Sequence, residues 1–230
     1  MKAYVLAGGL GTRLYPYSLI LPKPLLALGN KTILEHVLDW VSGHRFDEIV
    51  IAVSGRLWAY KLVVGDKYNG IKVSYKSSEK PLGTAGQLKF AAGEEKETFF
   101  ATYSDVIIKA KIDKAIEAHR REGSIATVFT ANVKEKLKYG VVKEEGGLLK
   151  DWEEKPEISF KIVAGAFLFE PEFLKYIKED KYGMNWSIMN AVKSGEKVLL
   201  YDVESFLDLG NVDDYINAAK QYAAAYGEIP

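Results

Sequence analysis

Residues 2–14 read Lys2-Ala3-Tyr4-Val5-Leu6-Ala7-Gly8-Gly9-Leu10-Gly11-Thr12-Arg13-Leu14, and this stretch decides the fold class. Its first six residues are nearly continuously apolar and are closed by Gly8-Gly9, the pattern of a strand covered on both faces. Strands of that kind lie in parallel sheets flanked by helices. Glycines at 8, 9 and 11 permit positive φ and close approach of a ligand, which is how such loops offer amide N–H groups to phosphates. Arg13 adds a bidentate donor fork at the loop's end. Two other glycine-rich loops are excluded by identity. A P-loop closes on Gly-Lys-Ser/Thr, where this chain has Gly11-Thr12-Arg13, and a dinucleotide fingerprint needs a glycine or alanine where Leu14 stands. Three glycines alone are equally well read as a tight turn without a ligand.

Working outward, Thr32-Ile33-Leu34-Glu35 fits a capping box, and Ile33, Leu34, Val37, Leu38 and Val41 recur at helical spacing up to Gly43. Glu48 to Val53 is a second buried strand. The alternation continues with a helix over 56–64, a strand at 71–76, a helix from Thr84 to about Ala92, a strand at 98–102, a helix at 112–121 and a strand at 124–131. Such alternation predicts a doubly wound α/β sheet. Beyond 132 the runs at 139–143, 147–153 and 162–169 are short and broken by glycines and charges, which predicts mixed or antiparallel strands. Helices at 171–178 and 184–194, a strand at 197–203 and a helix over about 212–227 follow. The expectation is a single Rossmann-like domain over 1–230 with a mixed sheet.

The 230 residues are 48% apolar and carry 31 basic against 31 acidic side chains. A chain of 25.7 kDa folds to about 10,000 Å² of surface and needs no covalent staples. Zero net charge leaves no overall field to gather a phosphate backbone, so nucleic acid is not the expected partner. Cysteine is absent, which removes thiolate nucleophiles, disulfides and cysteine-bound zinc and suits a reducing, cytoplasmic setting. His36, His44 and His119 show no metal-ligand spacing. The five-residue apolar run at Ala3–Ala7 falls short of a signal peptide, and no run nears the ~20 residues of a membrane span, so no membrane partner is expected.

Ten residues beyond Arg13 stands Leu21-Pro22-Lys23-Pro24-Leu25-Leu26. Two prolines fix φ, and the expectation is that they hold Lys23 extended and aimed back at the loop. With both segments in view, the chain resembles the sugar-phosphate nucleotidyltransferases, whose L-A-G-G-x-G-T-R-L loop and downstream P-K-P-L stand here at 6–14 and 22–25. The resemblance runs from residue 3 to about 222. It implies a GT-A-like domain with a nucleotide-binding part at about 1–131 and a sugar-phosphate-binding part at about 132–211. It further implies a nucleoside triphosphate and a sugar 1-phosphate as substrates, with Mg²⁺ as cofactor.

Residue by residue, the resemblance implies nucleotide contacts from Leu6, Ala7, Gly8, Gly9, Gly11, Thr12, Arg13 and Lys23, with Arg13 and Lys23 the catalytic cations. Pro81-Leu82-Gly83-Thr84-Ala85-Gly86 matches the P-L-G-T-A-G segment that meets base and ribose, giving Pro81, Gly83 and Thr84. Independently, Thr84 is expected to cap the helix it begins. Asp105 and Asp208, each a plain turn aspartate when read alone, become the two metal carboxylates. Gly140, in Tyr139-Gly140-Val141-Val142, would admit the sugar ring. Glu154 would bind sugar hydroxyls, Lys155 the acceptor phosphate, and Gly165 falls in the A-G of N-A-G-I-Y. Five positions depart from the family pattern: Tyr15, Tyr103, Ser104, Val163 and Asn211. Two other readings stay open at this level. One is a non-catalytic nucleotide-sugar binder. The other is a phospho-alcohol nucleotidyltransferase with an aromatic cage near Tyr182 and Trp186. The assembly, homo-oligomer or monomer, is left open.

Overall fold

The apolar run at the start of the chain is strand β1, Lys2–Ala7, buried from Ala3 onward. Its side chains alternate between two cores. Ala3, Val5 and Ala7 face one; Tyr4 and Leu6 face the other. That division is the physical content of a doubly wound sheet, because both faces of every central strand must be covered. The computed structural model describes residues 1–178 and 182–225, with side chains through 222 in the last helix.

The elements follow in chain order: β1, α1 (Tyr17–Ile20), β2 (Ala27–Leu28), β3 (Lys31–Thr32), α2 (Ile33–Ser42), β4 (Glu48–Ser54), α3 (Leu57–Val64), β5 (Lys67–Tyr68) and β6 (Ile71–Ser78). Next come α4 (Gly83–Ala92), β7 (Phe99–Tyr103), β8 (Val106–Lys109), α5 (Ile112–Glu122), β9 (Ala126–Lys136), β10 (Val141–Glu145), β11 (Leu148–Glu153) and β12 (Glu157–Phe169). The chain closes with α6 (Met184–Lys193), β13 (Val198–Asp202), β14 (Ser205–Asp208) and α7 (Val212–Ala225). Eight strands form the main sheet in the order β13-β9-β12-β7-β1-β4-β6-β5. It is mostly parallel, with β12 antiparallel to both β9 and β7 and β5 antiparallel to β6. Helices α2, α3 and α5 pack on the face of Val5, and α4 and α6 on the face of Leu6.

Local signals were read correctly where they were strong. Helix α2 has the expected capping box, Thr32 Oγ1 accepting from Glu35 N–H at 3.2 Å and Glu35 Oε2 accepting from Thr32 N–H at 2.7 Å, and its five periodic apolar residues are fully buried. Three expectations need correction. Pro171–Tyr176 forms 3-10 turns in place of the helix expected over 171–178. Lys23 is not extended: it opens a 3-10 turn, Lys23–Leu25, with Leu25 N–H bonded to Pro22 O at 2.8 Å. Thr84 does not cap its own helix, since α4 has no side-chain cap. The last expected helical residues, 226 and 227, lie outside the described residues.

Strands β9 and β12 outrun the sheet. Their outer halves, 132–136 against 157–161, continue as a two-stranded arm carrying the β10–β11 hairpin, in which every residue is exposed. Trp152, 63% exposed, pairs with Val142 there. The chain exposes 13,000 Å², above the compact-sphere figure, and this arm contributes to the excess. No helix among the described residues is long and apolar enough to cross a membrane.

Candidate active site

The carboxyl ends of β1, β4 and β7 converge on one edge of the sheet, where open α/β folds place their ligands. A cleft of about 370 Å³ opens there between the loop Gly8–Leu14, the segment containing Pro81, Gly83 and Thr84, and the turn Tyr103–Asp105. Of the expected residues, Leu6, Gly8, Gly9, Gly11, Thr12, Arg13, Lys23, Pro81, Gly83, Thr84 and Asp105 line it. Ala7 lies just beneath, its carbonyl accepting from the buried Tyr60 hydroxyl at 3.1 Å.

Two glycines at the cleft are explained by close packing. Gly11 is left-handed (φ +64°), and a Cβ there would stand 3.2 Å from Lys23 Cβ, so its bareness lets Lys23 pass beneath the loop. After it, Thr12–Leu14 makes a 3-10 turn with Leu14 N–H on Gly11 O at 2.9 Å. Gly83 (φ +70°) lies against the Tyr182 backbone, 2.7 Å from its carbonyl oxygen to the position of a Cβ. Thr84 points its hydroxyl across to α6, accepting from Met184 N–H at 2.8 Å. It therefore satisfies an orphan donor of a helix one hundred residues away in sequence.

Lys23 is 6% exposed, and its Nζ donates to Asp105 Oδ2 at 2.6 Å. Asp105 is held by its own loop, because Ser104 N–H and Oγ both reach Leu6 O, at 3.2 and 3.0 Å. Asp208 arrives by strand pairing. Strand β14 runs antiparallel to β8 with Asp208 opposite Val106, and Leu209 N–H reaches Asp105 O at 3.3 Å. The two carboxylates thus share one corner. Desolvation by surrounding protein, followed by the charge of Asp105, raises the Asp208 carboxyl above its usual value, with Lys23 and Arg13 opposing. The two carboxylates at one corner, an all-oxygen donor set, fit a hard divalent cation. Among the described residues no group of three or more His, Cys, Asp or Glu could hold a metal.

Gly140, Glu154, Lys155 and Gly165 do not line this cleft. The room beside Gly140 is taken by Trp152 Nε1 and Glu154 Oε2, each 2.8 Å from where a Cβ would sit, and Trp152 Nε1 donates to Glu154 Oε2 at 3.2 Å. Lys155 adopts φ +49° in the adjoining turn of the arm. Gly165 (φ +83°) sits at the β12 register shift, where a Cβ would fall 2.8 Å from Tyr103 Cδ2. It admits the Tyr103 ring, a wall of the cleft, whose phenol burial pushes up to about 12. Asn211 caps α7, its Oδ1 accepting from Asp214 N–H at 2.9 Å. Val163 is exposed opposite Thr130 in the main sheet, and nothing in the structure explains its departure from asparagine. Tyr182 packs against the core and its hydroxyl accepts from Asn190 at 3.1 Å. Gln87, Ser104 and Gly210 also belong to the cleft and were not read from sequence. Gln87 did leave a signal, a lone carboxamide among the small and apolar residues of α4.

The fold and this corner together define a nucleotide-handling α/β domain, and the chain belongs to the nucleotidyl transferase family, whose model matches residues 2–225. It is 34% identical over 231 residues to the mannose-1-phosphate guanylyltransferase catalytic subunit beta of Dictyostelium discoideum, covering 96% of this chain and 64% of that protein. It is 33% identical over 232 residues to the same subunit of Danio rerio, again with 96% and 64% covered. The chain therefore spans somewhat less than two thirds of those relatives. Among solved structures, UDP-glucose pyrophosphorylase complexed with UDP-glucose superposes with a TM-score of 0.74 at 18% identity, covering 97% of this chain and 98% of the other.

Proposed function

We propose that the chain transfers a nucleotidyl group from a nucleoside triphosphate to a sugar 1-phosphate, yielding a nucleoside diphosphate sugar and pyrophosphate. The observation that carries the reading is the buried Lys23 ammonium, paired with Asp105 and next to Asp208, directly below a glycine loop ending in Arg13. The curated relatives support GTP and mannose 1-phosphate as the first pair to assay.

The acceptor's phosphate oxygen is already ionised at neutral pH, so the reaction needs no general base. That oxygen forms a bond to the α-phosphorus while the bond to the bridging oxygen of the β-phosphate breaks, and pyrophosphate leaves with the electron pair. Catalysis then consists of alignment and charge neutralisation. Loop amides, Arg13 and Lys23 hold the triphosphate, and Pro81, Gly83 and Thr84 meet base and ribose. Asp105 and Asp208 would hold Mg²⁺, which when bound neutralises phosphate charge. Glu154 and Lys155, carried on the arm, would meet the acceptor.

The test is a matrix of nucleoside triphosphates against sugar 1-phosphates with pyrophosphate detection. Release above background only when a matched pair is present supports the reading. Tight binding of a triphosphate with no release for any acceptor would refute it in favour of a non-catalytic binder.

A further inference from the structure

Gln87 is 5% exposed and lies where three segments of the cleft meet. Its Oε1 accepts from Gly8 N–H at 3.1 Å, and its Nε2 donates to Ala52 O, at the end of β4, at 3.1 Å. It sits in α4, one turn after Gly83, so one side chain ties the glycine loop, β4 and the base-side segment together. The fit around it is close. A Cβ built on Gly8 would stand 1.7 Å from Gln87 Nε2 and 2.8 Å from Ser54 Oγ, so the two positions are mutually constrained: residue 8 is bare because residue 87 fills the space. Gly8 is absent from the residues with positive φ, and its backbone therefore does not itself demand glycine.

The chemistry of a carboxamide suits the place. A buried main-chain N–H needs an acceptor and a buried main-chain carbonyl needs a donor, and glutamine supplies both on one planar group. A carboxylate would supply only acceptors and would oppose the Ala52 carbonyl. Leucine or methionine would fill the volume and satisfy neither.

We propose that Gln87 is a positioning residue for the nucleotide: it occupies the Gly8 N–H and fixes the loop's path before any ligand binds. The first phosphate-facing amides are then those beyond Gly8, and the loop presents them preorganised, so that ordering it costs nothing on binding. This inference rests on the cleft being the nucleotide site.

The experiment compares wild type, Gln87→Leu, Gln87→Glu, Gly8→Ala and the double variant Gly8→Ala/Gln87→Ala. Triphosphate affinity is measured by calorimetry, steady-state constants for both substrates are determined with pyrophosphate detection, and exchange of the Gly8 amide is followed without ligand. In wild type the Gly8 amide is expected to be protected without nucleotide. Gln87→Leu should lose that protection and raise the KM for the triphosphate about tenfold, with kcat and the acceptor KM within about threefold. Gln87→Glu should not restore the wild-type KM. Gly8→Ala alone should weaken triphosphate binding more than Gln87→Leu does, and the double variant should recover at least tenfold of it, because loss of the Gln87 amide leaves the rotatable Ser54 hydroxyl as the remaining close neighbour of the new Cβ. An unprotected Gly8 amide in wild type, equal losses in both KM values and kcat for Gln87→Leu, or a double variant no better than Gly8→Ala would each overturn the proposal. Calorimetric binding of triphosphate without turnover would remove the proposed activity yet leave the positioning role measurable. No triphosphate binding to wild type at all would overturn both.

Discussion

Replacing Lys23 by Met removes an ammonium and keeps most of the buried stem, so stability and activity should separate. Lys23 is nearly inaccessible, but the side chain of its partner Asp105 is 32% exposed. Breaking a fully buried pair leaves an uncompensated charge and costs about 3–5 kcal/mol, whereas exposed pairs contribute about 0–1 kcal/mol. With one partner buried and the other reaching water, the loss belongs between these limits, at about 1–2 kcal/mol. For a domain of this length that is a fall of roughly 3–6 °C in Tm. Activity should fall further, because a preorganised donor to the transferred phosphates is typically worth about 3 kcal/mol, a hundredfold or more in rate. The assay is single-turnover pyrophosphate release at saturating substrates, paired with a thermal melt at the same pH. A rate within about threefold of wild type would show that Lys23 does not touch the phosphates. A fall in Tm well beyond 10 °C would show that the ion pair is principally structural.

Other outcomes follow from single contacts. Thr84→Val should cost about 1 kcal/mol in denaturant unfolding, as loss of a helix cap does, and should speed exchange of the Met184 amide more than any amide in α4. Gly165→Ala forces a Cβ to within 2.8 Å of Tyr103 at φ +83° and should destabilise by more than about 2 kcal/mol, with part of the activity lost through the displaced ring. His119 is fully buried between Thr127 and Glu170, and burial holds its pKa below 6.5, Glu170 opposing. Its neutral form is therefore favoured in the fold, so its contribution is complete above pH 6.5 and declines as pH falls below it toward the lowered folded value. Thermal melts from pH 8 to 5 should show this decline, and His119→Gln should flatten it; an unchanged slope would count against the assignment.

The doubly wound core was legible because each layer writes its own period into the chain. The unbroken apolar run of β1 and the 3.6-residue stripe of α2 are local facts, and local facts survive in sequence. The glycine loop and Lys23 could be singled out from their residue types and spacing, and the structure brings them to one cleft. What escaped notice depends on contacts between distant segments. Strands β8 and β14 have four residues each, too few to show a period, and their pairing alone sets Asp208 beside Asp105. Thr84 looked like a cap for its own helix because sequence offers no view of α6. The lysine between two prolines was read as extended from the rule for residues preceding proline, yet Pro22 and Leu25 close a 3-10 turn that buries it. Gln87 could be seen as an oddity in α4 but not assigned, because its partners Gly8 and Ala52 come from the loop after β1 and from β4.

The short β8–β14 ladder has an architectural consequence. Residues 110–204, including the arm, leave this ladder at Lys109 and return at Ser205, where Glu204 N–H meets Lys109 O at 2.8 Å. That stretch is thus a detour with adjacent entrance and exit. Its exposed β10–β11 arm can vary in length and composition without shifting the two carboxylates, whereas the buried strands and helices of the same stretch cannot. A scaffold of this kind lets one phosphate chemistry be fitted with many different acceptor pockets.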